Sequence, residues 1–192
     1  MKSFSFFILV FFFSVNARAQ FTTNVYWTEQ SGMPASDVVY YSPDKNLLWP
    51  DFRGAPNTGG NVAAVTMSGF GYKATIKNNG NNGQLNIGVY CYFNKERSWV
   101  KPDKKTAYVL NHEQHHFDIS FIAARIFTAK LKNTVITASN CTAQLQRIYK
   151  ECCDLMNKMQ DDYDGQTKNG QAKDVQAKWN GYLDKKLELL TK

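Results

Sequence analysis

Residues 111–127, with the sequence NHEQHHFDISFIAARIF, contain all three histidines of the chain within one apolar-periodic run. Apolar residues continue at helical spacing on both sides of the histidines, which predicts one long helix from about Asp103 to Lys132. Residues four apart on a helix are separated by about 40° of rotation and about 6 Å of rise, so His112 and His116 share one face. Glu113 projects about a quarter turn away.

His112 to His116 match HExxH, the pattern in which two histidines bind zinc and the first intervening residue, a glutamate, takes a proton from water. We therefore predict Zn²⁺ as cofactor, His112 and His116 as metal ligands, and Glu113 as the catalytic general base. The alternative is a pair of core histidines with protein partners only. Burying two imidazoles and a carboxylate on a helix is costly unless something coordinates or pairs with them. The remaining histidine, His115, falls between the ligand face and the flank of the helix, so it either lines the cleft or lies at the surface, and we favour the surface.

A catalytic zinc needs a third protein ligand and an open position for water. Ile119 and Ile122 stand where the long-motif metallopeptidases have their glycine and third histidine, so a carboxylate is expected instead. Asp164, in a turn after the second helix, is the first choice, and Asn169 can support the site through its side-chain oxygen. Three other acids are reserves, and for every one of these acids the alternative is a solvated helix-end charge. The reserves are Glu151, Asp161 and Asp162.

Two more polar residues near these positions have expected roles. Asp118 points away from the ligand face, which favours a hydrogen bond to a ligand histidine or to the next element. Tyr163 precedes Asp164 and is a candidate donor to a developing oxyanion.

The N-terminus has the pattern of a secretory signal peptide over residues 1–19. Lys2 gives a positive start, Phe4 to Phe13 form a short apolar run, and Ala17-Arg18-Ala19 is a small-x-small cleavage site. We expect an exported protein, periplasmic or extracellular, without stable membrane insertion, because no later segment approaches about 20 apolar residues.

The chain left after cleavage is only mildly basic. Loss of Lys2 and Arg18 reduces the 23 basic residues to 21 against 16 acidic residues, a net charge of +5. The basic residues are scattered, so no nucleic-acid partner is expected. Residues 20–192 fit one domain, β-rich over 20–100 and α-rich over 101–192.

The β-rich part is best marked by Leu85 to Phe93, where apolar residues alternate with polar ones as in a half-buried strand. An Asn/Gly loop at residues 78–83 predicts a hairpin with a strand around Val62 to Ile76. Two further helices are predicted, from about Thr142 to Asp162 and from about Ala172 to Leu190. Strands followed by helices indicate an α+β fold, with an N-terminal antiparallel β region, three helices and HExxH on the first long helix, as in zincins.

The four cysteines favour disulfides, because an exported protein meets an oxidising compartment and no C-x-x-C spacing occurs. Cys152 and Cys153 are neighbours on a helix and cannot easily pair with each other. Either Cys91 and Cys141 each take one of them, or only one bridge forms.

Several short segments occur in a fixed order along the chain. They are Leu48-Trp49-Pro50-Asp51-Phe52-Arg53-Gly54-Ala55-Pro56, Ser98-Trp99-Val100, the HExxH helix with His116-Phe117-Asp118 and Ala124-Arg125, Tyr163-Asp164-Gly165-Gln166-Thr167, and Gln176-Ala177-Lys178-Trp179. Together they resemble the bacterial secreted proteins of domain of unknown function 922, which are described as predicted zinc-dependent proteases. The resemblance spans nearly the whole chain after the leader.

Two positions depart from those relatives. The relatives often carry His-Gly where this chain has Asn169-Gly170. They also often carry an acidic residue shortly after the HExxH motif, where this chain has Phe121. If that histidine is their third zinc ligand, this chain lacks it. The sequence thus predicts a secreted zinc metallopeptidase acting on a peptide or protein substrate, and the alternative is a catalytically inactive zinc-binding or interaction protein on the same scaffold.

Overall fold

The computed structural model of the chain describes residues 21–57, 59–79 and 82–191. The expected signal peptide, residues 1–19, and the tip of the Asn/Gly loop lie outside these ranges. Strands come first and three helices follow, so the predicted α+β class is confirmed.

The strands and helices have the following bounds. The strands are β1 Phe21–Trp27, β2 Val38–Tyr40, β3 Ala64–Val65, β4 Ser68–Asn79, β5 Asn82–Asn94 and β6 Trp99–Val100. The helices are α1 Ala107–Lys132, α2 Cys141–Thr167 and α3 Lys173–Thr191. Single 3₁₀ turns occur at Ala35–Asp37, Trp49–Asp51 and Pro102–Lys104, and the last of these explains why α1 begins later than predicted.

The main sheet is built around β5. The predicted hairpin is confirmed, because β4 and β5 pair antiparallel from Asn79 opposite Asn82 to Ser68 opposite Phe93. The predicted all-antiparallel region is wrong in one respect, since β1 runs parallel to β5. A tight turn forces antiparallel pairing, whereas the long connection from Trp27 to Asn82 leaves either direction open. A separate two-stranded sheet pairs β3 antiparallel with β6.

The core lies between the main sheet and α1. The alternation predicted for β5 is confirmed, since its inward residues from Leu85 to Phe93 are at most 1% exposed. Phe117 and Phe127 of α1 are buried in the same cluster. The N-terminus of α1 is capped by Thr106, whose side chain accepts a hydrogen bond from the backbone nitrogen of Val109. Packing against the sheet and capping at the N-terminus therefore fix the position of α1 and its rotation about its axis.

Helix α2 is longer than predicted and carries three of the four cysteines. It continues through Gly165 to Thr167, so Asp164 lies in its last turn rather than in a turn after it. The disulfide prediction is not supported, because all four cysteines are described and all are free. Cys91, Cys141 and Cys152 are buried in the apolar core, where each acts as a small hydrophobic residue.

In the described ranges, no helix is both long and apolar enough to cross a membrane.

Candidate metal centre

Helices α1 and α2 bring three ligand-type atoms together. The Nε2 atoms of His112 and His116 lie 3.2 Å apart. Oδ1 of Asp164 lies 3.1 Å from Nε2 of His112 and 3.0 Å from Nε2 of His116. Ligand atoms about 2.0–2.1 Å from a tetrahedral Zn²⁺ stand about 3.3 Å apart, so the three atoms approximate one face of a zinc tetrahedron. Among the described residues, these three form the only such group of His, Cys, Asp and Glu.

Two glutamines hold the outer nitrogens of the histidines. Oε1 of Gln176 lies 2.8 Å from Nδ1 of His112, and Oε1 of Gln160 contacts Nδ1 of His116. The amide groups are oriented by their nitrogens, because Nε2 of Gln160 donates to the backbone oxygen of His116 and Nε2 of Gln176 donates to Oδ1 of Asn180. An amide oxygen only accepts, so each histidine donates from Nδ1 and keeps a lone pair on Nε2.

The resulting cluster is chemically unbalanced without a cation. Two imidazole lone pairs and a carboxylate oxygen converge within 3.2 Å, and acceptors this close repel unless a metal ion or a proton lies between them. The donor set, two imidazoles and one carboxylate, is one that Zn²⁺ binds in catalytic sites. The residues therefore fit a zinc ion.

The electrostatics of the cluster give the same picture. Burial alone lowers the pKa of His116, but its hydrogen bond to Asp164 and the charge of Glu113 outweigh burial, so the pKa is raised. Burial alone raises the pKa of Asp164, but hydrogen bonds from His112 and His116, which form when Nε2 carries a proton, hold it well below its usual range. A proton on His116 and a metal ion are thus alternative ways to balance the cluster.

Glu113 sits beside the cluster in an unusual state for a carboxylate. Its side chain is buried, and Oε2 has no hydrogen-bond partner. Burial raises the pKa of Glu113, and the charges of His116 and His112 only partly oppose this. A raised pKa brings a carboxylate closer to the range in which it can both accept and release a proton at neutral pH.

The cluster opens onto a cleft of about 770 Å³. One side is the segment that leads into β3, another is the face of α1 that carries His112 and Glu113, and α2 and the turn after it complete the walls. The lining residues are 61–66, Ser68, Tyr108, Val109, His112, Glu113, His116, Met156, Asn157, Gln160, Asp164, Asn169, Gly170 and Gln171. Asn169 also lines the cleft, and support of the site by its side-chain oxygen stays a prediction.

The turn after α2 closes against the ring of His112. Lys168, Asn169 and Gly170 have φ values of 52°, 51° and 78°, so three successive residues are left-handed. A Cβ on Gly170 would lie 3.3 Å from Nδ1 of His112, which is tight, and its φ suits glycine. Tyr108 donates a 2.6 Å hydrogen bond to the backbone oxygen of Gly170. The turn therefore holds His112 from one side while Gln176 holds it from another.

Several other sequence predictions turn out differently. His115 is buried, not at the surface, and its Nδ1 lies 2.8 Å from Oδ2 of Asp118. Asp118 therefore binds a histidine outside the cluster, and it also accepts from Tyr41. The ring of Tyr163 is fully buried and stacks on His112 at 4.7 Å, so its hydroxyl is not available to a substrate. Tyr163 therefore packs against the ring of His112, one of the metal-ligand candidates.

The reserve acids lie away from the cluster. Glu151 pairs with Lys130 and Arg147, and Asp162 pairs with Lys158. Phe121 is in the apolar core, where its ring stacks on that of Tyr41 with 3.9 Å between the centroids, and it does not line the cleft. Gln160 and Gln176 were missed from sequence, because a glutamine has no spacing rule that links it to a histidine 44 or 64 residues away.

Comparison with known proteins finds a match to one family model over part of the chain. Residues 93–172 match the sequence model of a family described as bacterial protein of unknown function, DUF922. This region includes α1, α2, Glu113 and all three atoms of the cluster, whereas β3 and Gln176 lie outside it. The chain matches no curated protein and no solved structure.

Proposed function

We propose that the chain is a zinc-dependent hydrolase that cleaves peptide bonds outside the cytoplasm after removal of residues 1–19. The observation that carries this proposal is the carboxylate of Glu113. It is buried, one of its oxygens is unpartnered, and it faces the same cleft as three convergent metal-ligand atoms. A buried carboxylate oxygen without a hydrogen-bond partner destabilises the fold, which favours a functional role for Glu113.

The residues divide the work as follows. His112, His116 and Asp164 would hold the ion, with Gln160 and Gln176 orienting the imidazoles. Zinc, when bound, would lower the pKa of a water molecule and polarise the carbonyl of the peptide bond to be cleaved. Glu113 accepts the proton of the attacking water and returns it to the leaving amine, a role that its raised pKa favours.

A metal-binding protein without catalysis is the second candidate. The replacement of the relatives' histidine by Asn169 favours it. Two observations weigh against it. Among the described residues the cluster offers three ligand-type side chains and not the four of a closed structural site, and a structural zinc would have no use for Glu113.

Glu113→Gln separates the two candidates. The amide keeps the size of the side chain but cannot accept a proton, so we expect zinc content to stay near one per chain and hydrolysis to fall by about a hundredfold or more. Zinc is measured by elemental analysis, and hydrolysis is measured on an unfolded protein substrate such as reduced casein.

Glu151→Gln is the matched control. The side chain of Glu151 is 40% exposed on α2 and pairs with Lys130 and Arg147, so the same substitution there should leave both zinc content and hydrolysis unchanged. A wild-type protein that holds zinc but cleaves nothing would overturn the enzyme and support the second candidate.

A further inference from the structure

We propose that the cleft binds the interior of an extended polypeptide, which adds as a strand to the free edge of β3. This inference rests on the proposed function in taking the cleft beside Glu113 as the site. It goes further by naming the conformation of the ligand and the part of the chain that is recognised.

The pairing of β3 shows which of its backbone groups are free. Lys101 donates a 2.9 Å hydrogen bond to the backbone oxygen of Ala63, and Ala64 lies opposite Val100. In an antiparallel pair, successive residues direct their N–H and C=O groups to opposite edges of the strand. Because Ala63 faces β6, the N–H and C=O of Ala64 face the other edge, where no strand of the described chain pairs with β3.

That other edge borders the cleft. Residues 61–66 line the cleft in sequence, whereas neither residue of β6 does. The end of the segment is tied to the catalytic helix, because Oγ1 of Thr66 donates a 3.1 Å hydrogen bond to the backbone oxygen of Glu113. A strand added to this edge would therefore pass directly over the face of α1 that carries Glu113.

The charges of the cleft favour the interior of a chain over its ends. The charged or titratable side chains of its lining, tyrosine aside, are those of the cluster and Glu113, and the described lining contains no lysine or arginine. A terminal carboxylate gains most from a cation, and a terminal amine gains most from an acid that does not already belong to the cluster. Two nearby lysines are already engaged, since Lys173 lies over the ring of Tyr108 and Lys101 donates to the backbone oxygen of Gly60.

The walls also indicate which side chains the polypeptide presents. Val62 is 47% exposed beside the edge of β3, and Val65, Val109 and Met156 line the same cleft. Exposed apolar side chains in a cleft gain free energy when a ligand covers them. We infer that apolar residues flank the bound bond.

The test uses zinc-loaded Glu113→Gln protein and a neutral peptide of about ten residues, long enough at about 3.3 Å per residue to cross the cleft. The peptide is acetylated and amidated, has Phe-Leu at its centre, and is made as a series with a single N-methyl group moved along the backbone. Affinity is measured by fluorescence anisotropy. N-methylation at alternate residues near the centre should weaken binding about tenfold, because those N–H groups face β3, and methylation between them should have little effect.

A pair of protein variants tests the same surface. Val62→Ser should weaken binding of the blocked peptide by about threefold or more, whereas Val135→Ser, at an 82% exposed position before α2, should not change it. Both residues are exposed, so neither change should prevent folding.

The outcomes separate this inference from the proposed function. An N-methyl profile without the two-residue period, no binding of the blocked peptide, or tenfold tighter binding of peptides with free ends would overturn the inference. If wild type removes residues only from the ends of casein, the hydrolase stands and this inference falls. If wild type cleaves nothing but the two-residue period is found, the inference stands and the hydrolase falls.

Discussion

The two sides of α1 each place a histidine against an aspartate, yet the two pairs are chemically different. On one side, His115 meets Asp118, whose carboxylate accepts hydrogen bonds from His115, Tyr41 and Gln114. On the other side, His112 and His116 meet Asp164 through Nε2 atoms that carry lone pairs. The first pair is closed by donors, whereas the second is a set of acceptors with the cleft beside it.

The difference shows that proximity of histidine and carboxylate does not identify a metal site. What distinguishes the cluster is which ring nitrogen faces the aspartate. Nδ1 of His115 donates to Asp118, so that pair is a donor and an acceptor. In the cluster the Nδ1 atoms donate to Gln160 and Gln176 instead, so the Nε2 atoms, which carry lone pairs, face Asp164. The partners of the Nδ1 atoms therefore leave one side of α1 able to bind a metal ion, whereas on the other side the histidine and the aspartate stabilise the fold.

The largest expected contrast is in metal content. His112→Ala or His116→Ala should reduce bound zinc from about one per chain to nearly none, because two remaining ligands bind zinc too weakly. His115→Gln keeps a donor next to Asp118 and should leave zinc content unchanged. Elemental analysis of the three purified variants measures this. Zinc content that is equal in all of them would remove the distinction between the two sides.

The aspartates should show the opposite contrast, in stability. Asp118 is buried and accepts from three donors, so Asp118→Ala should lower the free energy of unfolding of the metal-free protein by about 3 kcal/mol and leave zinc content near one per chain. The side chain of Asp164 is 42% exposed, so Asp164→Ala should cost less than about 1 kcal/mol but weaken zinc binding by about a hundredfold or more.

Urea unfolding and zinc competition assays measure the two quantities. A variant of Asp118 that loses zinc while remaining folded would contradict the comparison, and so would a variant of Asp164 that keeps full zinc affinity.

The sequence predicts one side of this comparison better than the other. The spacing of His112 and His116 on a helix indicates their convergence, because the geometry is local. The burial of His115 involves residues from other elements: its ring meets that of Tyr163 on α2 edge-on, with 6.3 Å between the ring centroids, and its partner Asp118 also accepts from Tyr41. A helical wheel contains no such neighbour, so it places His115 in solvent.

Prediction of the fold has the same limit, because local patterns in the sequence do not specify contacts between distant segments. Alternation predicts the inward face of β5, and the hairpin with β4 follows from a local turn. The parallel pairing of β1 with β5 joins segments far apart in the chain, and alternation does not encode strand direction. Helix α2 extends past Gly165 because its packing outweighs the weak helix propensity of one glycine.

The pH dependence of zinc binding provides a smaller test. The pKa of His116 is raised in the metal-free cluster, and zinc must displace that proton. Affinity should therefore be highest above the raised pKa and fall about tenfold per pH unit below it, as competition titrations from about pH 8 to about pH 5 can measure.

The contribution of His116 to the stability of the metal-free protein should have the opposite pH dependence. A raised pKa means that protonated His116 contributes stability at low pH, and this contribution is lost as pH rises through the raised pKa. Zinc affinity that is flat or rises toward low pH would contradict the assignment of lone pairs to Nε2.

The smallest expected effect concerns two glycines near the cluster. Gly170 has φ of 78° and lies against His112, so Gly170→Ala should lower the free energy of unfolding by about 1–2 kcal/mol and also weaken zinc binding. Gly165 lies in α2 with nothing within 4 Å of an added Cβ, so Gly165→Ala should raise the free energy of unfolding by about 0.5–1 kcal/mol and leave zinc affinity unchanged. Urea unfolding and zinc competition on both variants decide the matter. If both alanines shift stability in the same direction, the turn after α2 is not strained against His112, and the ring is held by Gln176 and Tyr163 alone.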